Sequence, residues 1–165
     1  MKIVALSQTE AKTLLSLNED HFNDVKSKRI APAKLQETFV AFANSDGGDL
    51  YIGIEDRKET GERIVGFTEV EDANAIIANL LEETKPAVEN VFMEFLQVPK
   101  KGLVLHIGIP KSPKVHYTAS GDCYIRVNAA KTKIKGDRVT QLAYSKGAEI
   151  YERKTVDDVD VEDIA

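Results

Sequence analysis

At 165 residues, with 42% apolar and 30% charged side chains, the chain has the make-up of one folded domain with its own hydrophobic core, which excludes a disordered polymer. No apolar run approaches the roughly 20 residues needed to span a bilayer, MKIVALSQTE turns polar too early for a secretory leader, and one cysteine cannot close an internal disulfide, so a cytoplasmic protein is expected. The net charge of −5 conceals a strong asymmetry: Asp46 to Glu94 holds 13 acids and 4 bases, whereas Phe95 to Arg138 holds 2 acids and 9 bases. A positive face on a negative body is one reading, and an unevenly charged solvated surface is the other.

In chain order, Ser7 and Glu10 form a capping box ahead of a helix striped by Ala11, Leu14 and Leu15. Residues 20–26 (DHFNDVK) alternate as a strand. Pro32 opens an amphipathic helix carrying Leu35, Phe39, Val40, Phe42 and Ala43, which Gly47 and Gly48 stop. Leu50, Ile52 and Ile54 alternate as a strand, and a short strand is expected over 63–67. Ile76, Ile77, Leu80 and Leu81 mark another core-facing helix, closed by Pro86. Residues 91–98 and 103–109 read as a hairpin, 115–117 and 123–127 as a second strand pair, and 137–149 as a last helix. The expected fold class is α+β, a mixed or antiparallel sheet packed with about four helices over residues 1–151. Residues 152–165 form an acidic tail.

Alternation in the strand 122–128 sets Cys123, Ile125 and Val127 on a core face, and Tyr124, Arg126 and Asn128 on the opposite face. The second set offers an aromatic plane, a guanidinium and an amide, which could stack a base, pair a phosphate and hydrogen-bond an edge. Lys131, Lys133 and Lys135 follow at alternate positions and Lys114 precedes; a basic edge strand kept soluble by lysine is the plainer explanation. Lys26, Lys28 and Arg29 make a second cluster, with Asp24 two residues before Lys26. The Gly47–Gly48 turn could present N–H groups to an anion, although glycines ending a helix need no ligand. No G-x-x-x-x-G-K-[ST] occurs, so P-loop nucleotide binding has no motif behind it. His21, His106 and His116 lack zinc-ligand spacing.

Glu19, then Asp24 and Lys26, then AFAN (41–44), Gly47-Gly48 and IGIED (52–56), with SPKVHYTASGDCYIRVNAAKT (112–132), resemble the AlbA-like domain of Schlafen proteins and of bacterial regulators once called divergent AAA proteins. Asp24 stands where that family has a glutamate, and Asn128 where it has a glycine. The resemblance implies an AlbA-like core and a nucleic-acid-binding module, with DNA favoured over RNA, within a transcriptional regulator, and a possible homodimer. It implies that the tail resembles a connector to a further C-terminal region. Some relatives are RNases using three carboxylates, whose counterparts here are Glu19, Asp24 and Asp56; hard oxygen ligands of that kind would hold Mg²⁺ or Mn²⁺. The binding reading requires no cofactor, and binding rather than enzymatic activity is the expectation. A protein-interaction domain or a nucleotide-binding module are the further alternatives. The expected nucleic-acid contacts are Lys26, Lys28, Arg29, Lys114, Tyr124, Arg126, Asn128, Lys131, Lys133 and Lys135.

Overall fold

The structure is a computed structural model describing residues 1–56 and 61–149; the acidic tail lies outside the described residues. Five strands form a mixed sheet in the order β1-β4-β5-β3-β2: β1 (Lys2–Ala5), β2 (Asn23–Lys26), β3 (Gly48–Ile52), β4 (Phe92–Val98) and β5 (Gly102–Ile109). The central pairs β4–β5 and β5–β3 are antiparallel, and the two edges, β1 on β4 and β2 on β3, are parallel. A separate ribbon pairs β6 (Cys123–Val127) with β7 (Ala130–Ile134). The α+β class holds.

Helix α1 (Gln8–Leu15) starts at the capping box: the Ser7 hydroxyl accepts from the Glu10 amide at 3.1 Å, and the Ser7 amide donates to the Glu10 carboxylate at 3.0 Å. Its Leu14 closes one side of the sheet with Ile54, Ile64, Leu96, Val98 and Val104. The other side is covered by α2 (Pro32–Asn44) and α3 (Asn74–Glu82), which pack Leu35, Phe39, Phe42, Ile76 and Leu80 on Leu50, Ile52, Phe95, Leu105 and Ile107. Every residue of α2 from Thr38 to Asn44 is buried, because the sheet covers one flank of the helix and the ribbon the other. A last helix, α4, runs over 137–149. It is pinned by the buried Lys146, whose ammonium donates to the Ser112 carbonyl at 2.5 Å and to the Ala43 carbonyl at 3.5 Å.

Three strand expectations are corrected. Residues 20–22 do not extend β2, because the Asp20 carboxylate takes the Phe22 amide (2.8 Å) and the Asn23 side-chain amide (3.1 Å) in a turn. The stretch 63–67 contributes only single bridges, Ile54 to Ile64 and Phe67 to Leu103. Residues 115–117 do not pair with β6: Tyr117 bridges Lys85, and β6 pairs with the following strand across Asn128, which adopts φ 54°. Strand β1, unexpected from the sequence, adds an edge.

The Gly47–Gly48 turn is a structural device. Gly47 adopts φ 72°, donates its N–H to the Phe42 carbonyl at 2.9 Å, and lies so close to the chain that a Cβ would stand 2.5 Å from the Ile109 carbonyl oxygen. Its N–H is spent inside the protein and is not offered to an anion.

Asn44, the last residue of α2, ties the ribbon to the body. Its amide donates to the His116 and Tyr124 carbonyls, both at 2.9 Å, and its carbonyl accepts the His116 amide at 2.8 Å. Asn44→Ala leaves three buried backbone groups unpaired, and a loss of about 3 kcal/mol in urea unfolding is expected.

Candidate nucleic-acid interface

The ribbon register sets Tyr124 opposite Lys133 and Arg126 opposite Lys131, so these four side chains start from one face. Cys123 and Ile134 oppose each other on the other face and are buried against the body. Burial also pushes the Cys123 thiol up, which suits an inert core residue. Toward the tip the ribbon leaves the body, and Val127, expected in the core, is 47% exposed.

Arg126 does not join an open surface. Its side chain is 1% exposed. Nε donates to the carbonyls of Asp20 and His21 at 3.2 Å, Nη2 to those of Asp20 (2.7 Å) and Asn23 (3.1 Å), and Nη1 to the Asp24 carboxylate at 3.4 Å. The guanidinium also lies 4.3 Å from the centre of the Phe42 ring. The expectation of a phosphate contact from Arg126 is corrected: its donors are consumed inside the protein.

The remaining ribbon cations are more open, and two of them are engaged. Lys131 reaches the Glu37 carboxylate at 3.4 Å and Lys133 reaches Asp122 at 3.3 Å. Lys135 follows β7 on the exposed surface, and Asn128 is exposed at the turn. Tyr124 is half-buried; burial first, and then the neighbouring Glu37 carboxylate, push its hydroxyl up to about 12. Lys34 meets the same carboxylate at 3.7 Å. Neither Lys34 nor Glu37 was singled out from the sequence, although their spacing of three on one helix was the available signal. Lys114 stands apart, exposed beside a small hollow that it lines with Lys111, Glu89 and Asn90. His116 is fully buried between the Pro86 carbonyl (2.7 Å) and the Ser112 hydroxyl (2.5 Å), out of reach of any ligand.

The second basic cluster is paired throughout. Lys26 lies 3.3 Å from Asp24, Lys28 donates to the Gly66 carbonyl at 3.1 Å, and Arg29 meets Glu55 at 3.2 Å. Beside it, Glu19, Asp24 and Asp56 come together, although they stem from a loop, β2 and the segment after β3. Glu19 and Asp56 line a cleft with Leu17, Val25 and Arg63. The Glu19 carboxyl is raised above its ordinary value by burial first, then by the hydrogen bond and charge of Asp24; Asp56 adds to the rise and Lys26 opposes it. Oδ1 of Asp24 is buried without a hydrogen-bond donor.

These carboxylates do not fit a divalent cation as they stand. Asp24 spends Oδ2 on Arg126 and Lys26, and among the described residues no three His, Cys, Asp or Glu side chains are placed to hold a metal ion.

Residues 19–135 match the family model described as Schlafen, AlbA_2, and the chain belongs to that family. It is thereby a nucleic-acid-related domain. The crystal structure of the DIP2311 protein from Corynebacterium diphtheriae is similar, with a TM-score of 0.53 and 18% identity over 77% of this chain and 29% of that one. At that identity the likeness is one of fold, and it spans under a third of the longer protein. No curated protein matches. Among the described residues, no helix is long and apolar enough to cross a membrane.

Two expectations follow. Asp24→Asn strips the buried Arg126 of its counter-charge and destabilises by about 3 kcal/mol, read as a shift of the denaturant midpoint. Glu19 works in the opposite sense: a raised carboxyl favours the folded state while protonated, so its contribution is present below the ordinary value of 4.5 and lost as pH rises through the folded value. Glu19→Gln should therefore melt above the wild type at pH 7, with the gap closing as pH falls through the folded value and gone below about 4.5.

Proposed function

We propose that the protein is a DNA-binding module of a transcriptional regulator, engaging its ligand through the β6–β7 ribbon. The observation that carries this reading is the ribbon itself: Tyr124, Lys131 and Lys133 start from one face, and Lys135 continues the alternation. A two-stranded ribbon fits a duplex groove, lysines supply phosphate contacts, and a half-buried tyrosine offers a ring to a sugar or base. Asn128, held at the turn with φ 54°, presents a short amide at the leading end. Arg126 has a supporting part in this reading: it holds the ribbon on the body. Lys26, Lys28, Arg29 and Lys114 would add weaker backbone contacts at the flanks. Binding of this kind needs no cofactor, and a homodimer would place two ribbons along one duplex.

Fluorescence anisotropy with labelled duplex and single-stranded oligonucleotides tests the reading. Affinity should fall steeply with salt, and Lys133→Ala with Lys135→Ala should flatten the log–log slope by roughly one per lysine removed. Absence of binding, or binding indifferent to salt, overturns it.

A second reading, a metal-dependent RNase on Glu19, Asp24 and Asp56, would require Asp24 to give up Lys26 and Arg126 for the cation. Asp56→Asn is the cleaner probe, since Asp24 also carries the Arg126 pair. Cleavage of structured RNA with Mn²⁺, abolished by that substitution, would replace the binding reading.

A further inference from the structure

The acid that neutralises the ribbon is the most enclosed member of its own cluster. The side chain of Glu37 is 15% exposed, against 69% for Lys34 and 31% for Lys131. Its two oxygens are divided between the cations: Oε1 faces Lys34 at 3.7 Å and Oε2 faces Lys131 at 3.4 Å, with the Tyr124 hydroxyl beside the same group. The carboxylate thus forms a floor fixed to α2, and the ammonium groups stand at the rim on flexible four-carbon stems. A phosphodiester presents what these donors already hold, a single negative charge spread over two oxygens.

We propose that Lys34, Tyr124 and Lys131 form a phosphate-binding site of the nucleic-acid interface, and that Glu37 is its built-in competitor. This rests on the nucleic-acid reading and goes beyond it, because it assigns Lys34 a ligand contact and Glu37 a regulatory part. In the free protein the lysines lean inward on Glu37. On binding they swing outward to a backbone phosphate, and the carboxylate stays behind. Only phosphates that hold the lysines better than Glu37 does can dock, so contacts elsewhere on the ribbon must supply the rest of the affinity. Weak, unspecific adsorption to polyanions is thereby suppressed.

The experiment compares wild type, Glu37→Gln and a charge control, Glu82→Gln, at the exposed end of α3. Binding of a labelled duplex is read by anisotropy over a salt series. Glu37→Gln is expected to bind about two- to fivefold more tightly at low salt, the size of a partly exposed ion pair. Its log–log slope should steepen by about one, for one further phosphate neutralised. Glu82→Gln should leave both unchanged. Lys131→Ala should cost more affinity in the Glu37→Gln background than in wild type, and this cycle reads the coupling even if Glu37→Gln lowers the melting temperature, provided that all variants are folded by circular dichroism at the temperature used. Wild-type binding with no gain from Glu37→Gln, or an equal gain from Glu82→Gln, overturns the inference and leaves the interface reading intact. If wild type binds neither duplex nor single strand, the interface reading fails and the inference falls with it.

Discussion

A guanidinium can be sealed inside a protein only if nearly all its N–H groups find acceptors, and Arg126 meets that demand with the carbonyls of Asp20, His21 and Asn23 and the carboxylate of Asp24. The rest of the working surface follows from that arrangement. The acceptors run from the tight turn at Asp20 and His21 into the first residues of β2, Asn23 and Asp24, so the turn must keep its shape ahead of the strand. The donor lies on β6, so the ribbon is fixed against the start of β2 and across α2. Asp24, engaged through Oδ2, keeps a buried Oδ1 without a donor, and Glu19 lies beside its carboxylate.

Much of the framework was legible because it is local. The Ser7–Glu10 box, Pro32 at the head of α2 and the glycine stop after Asn44 act within a few residues, and each is found where its chemistry places it. The family resemblance was legible for the same reason, since AFAN, the glycine pair and IGIED lie within one supersecondary unit. What depends on distant partners was not legible. Alternation correctly assigned Cys123 to the interior but could not show that the body ends before Val127. Nor could it show that Arg126, on the nominally outer face, has an acidic turn more than 100 residues earlier in the chain waiting for it. Strand β1 was missed because four largely exposed residues give no burial pattern, and its existence depends on the open edge of β4.

The charge pattern needs the same correction. A local excess of bases in the sequence suggested a bare positive face. Instead many of the described cations are met by acids: Lys131 and Lys34 by Glu37 of α2, Lys133 by Asp122, Lys26 by Asp24 of β2, Arg29 by Glu55. These pairs differ in kind. Those on Asp24 are buried and hold the fold, since an unpaired charge there would cost several kcal/mol. Those on Glu37 and Asp122 are partly open to water, where a pair is worth about 1 kcal/mol at most and can be exchanged for another anion.

That difference would reconcile a net charge of −5 with the proposed nucleic-acid surface. A protein whose cations were all free would adhere to any polyanion, and one whose cations were all locked in the interior would bind none. The exchangeable pairs on Glu37 and Asp122 lie on the ribbon and the first turns of α2, while the inexchangeable one, Arg126 with Asp24, lies at the ribbon's base and orients it. On the proposed reading a duplex would reach the ribbon because Glu37 and Asp122 can each be traded there for a phosphate, an exchange that the buried Asp24 does not offer.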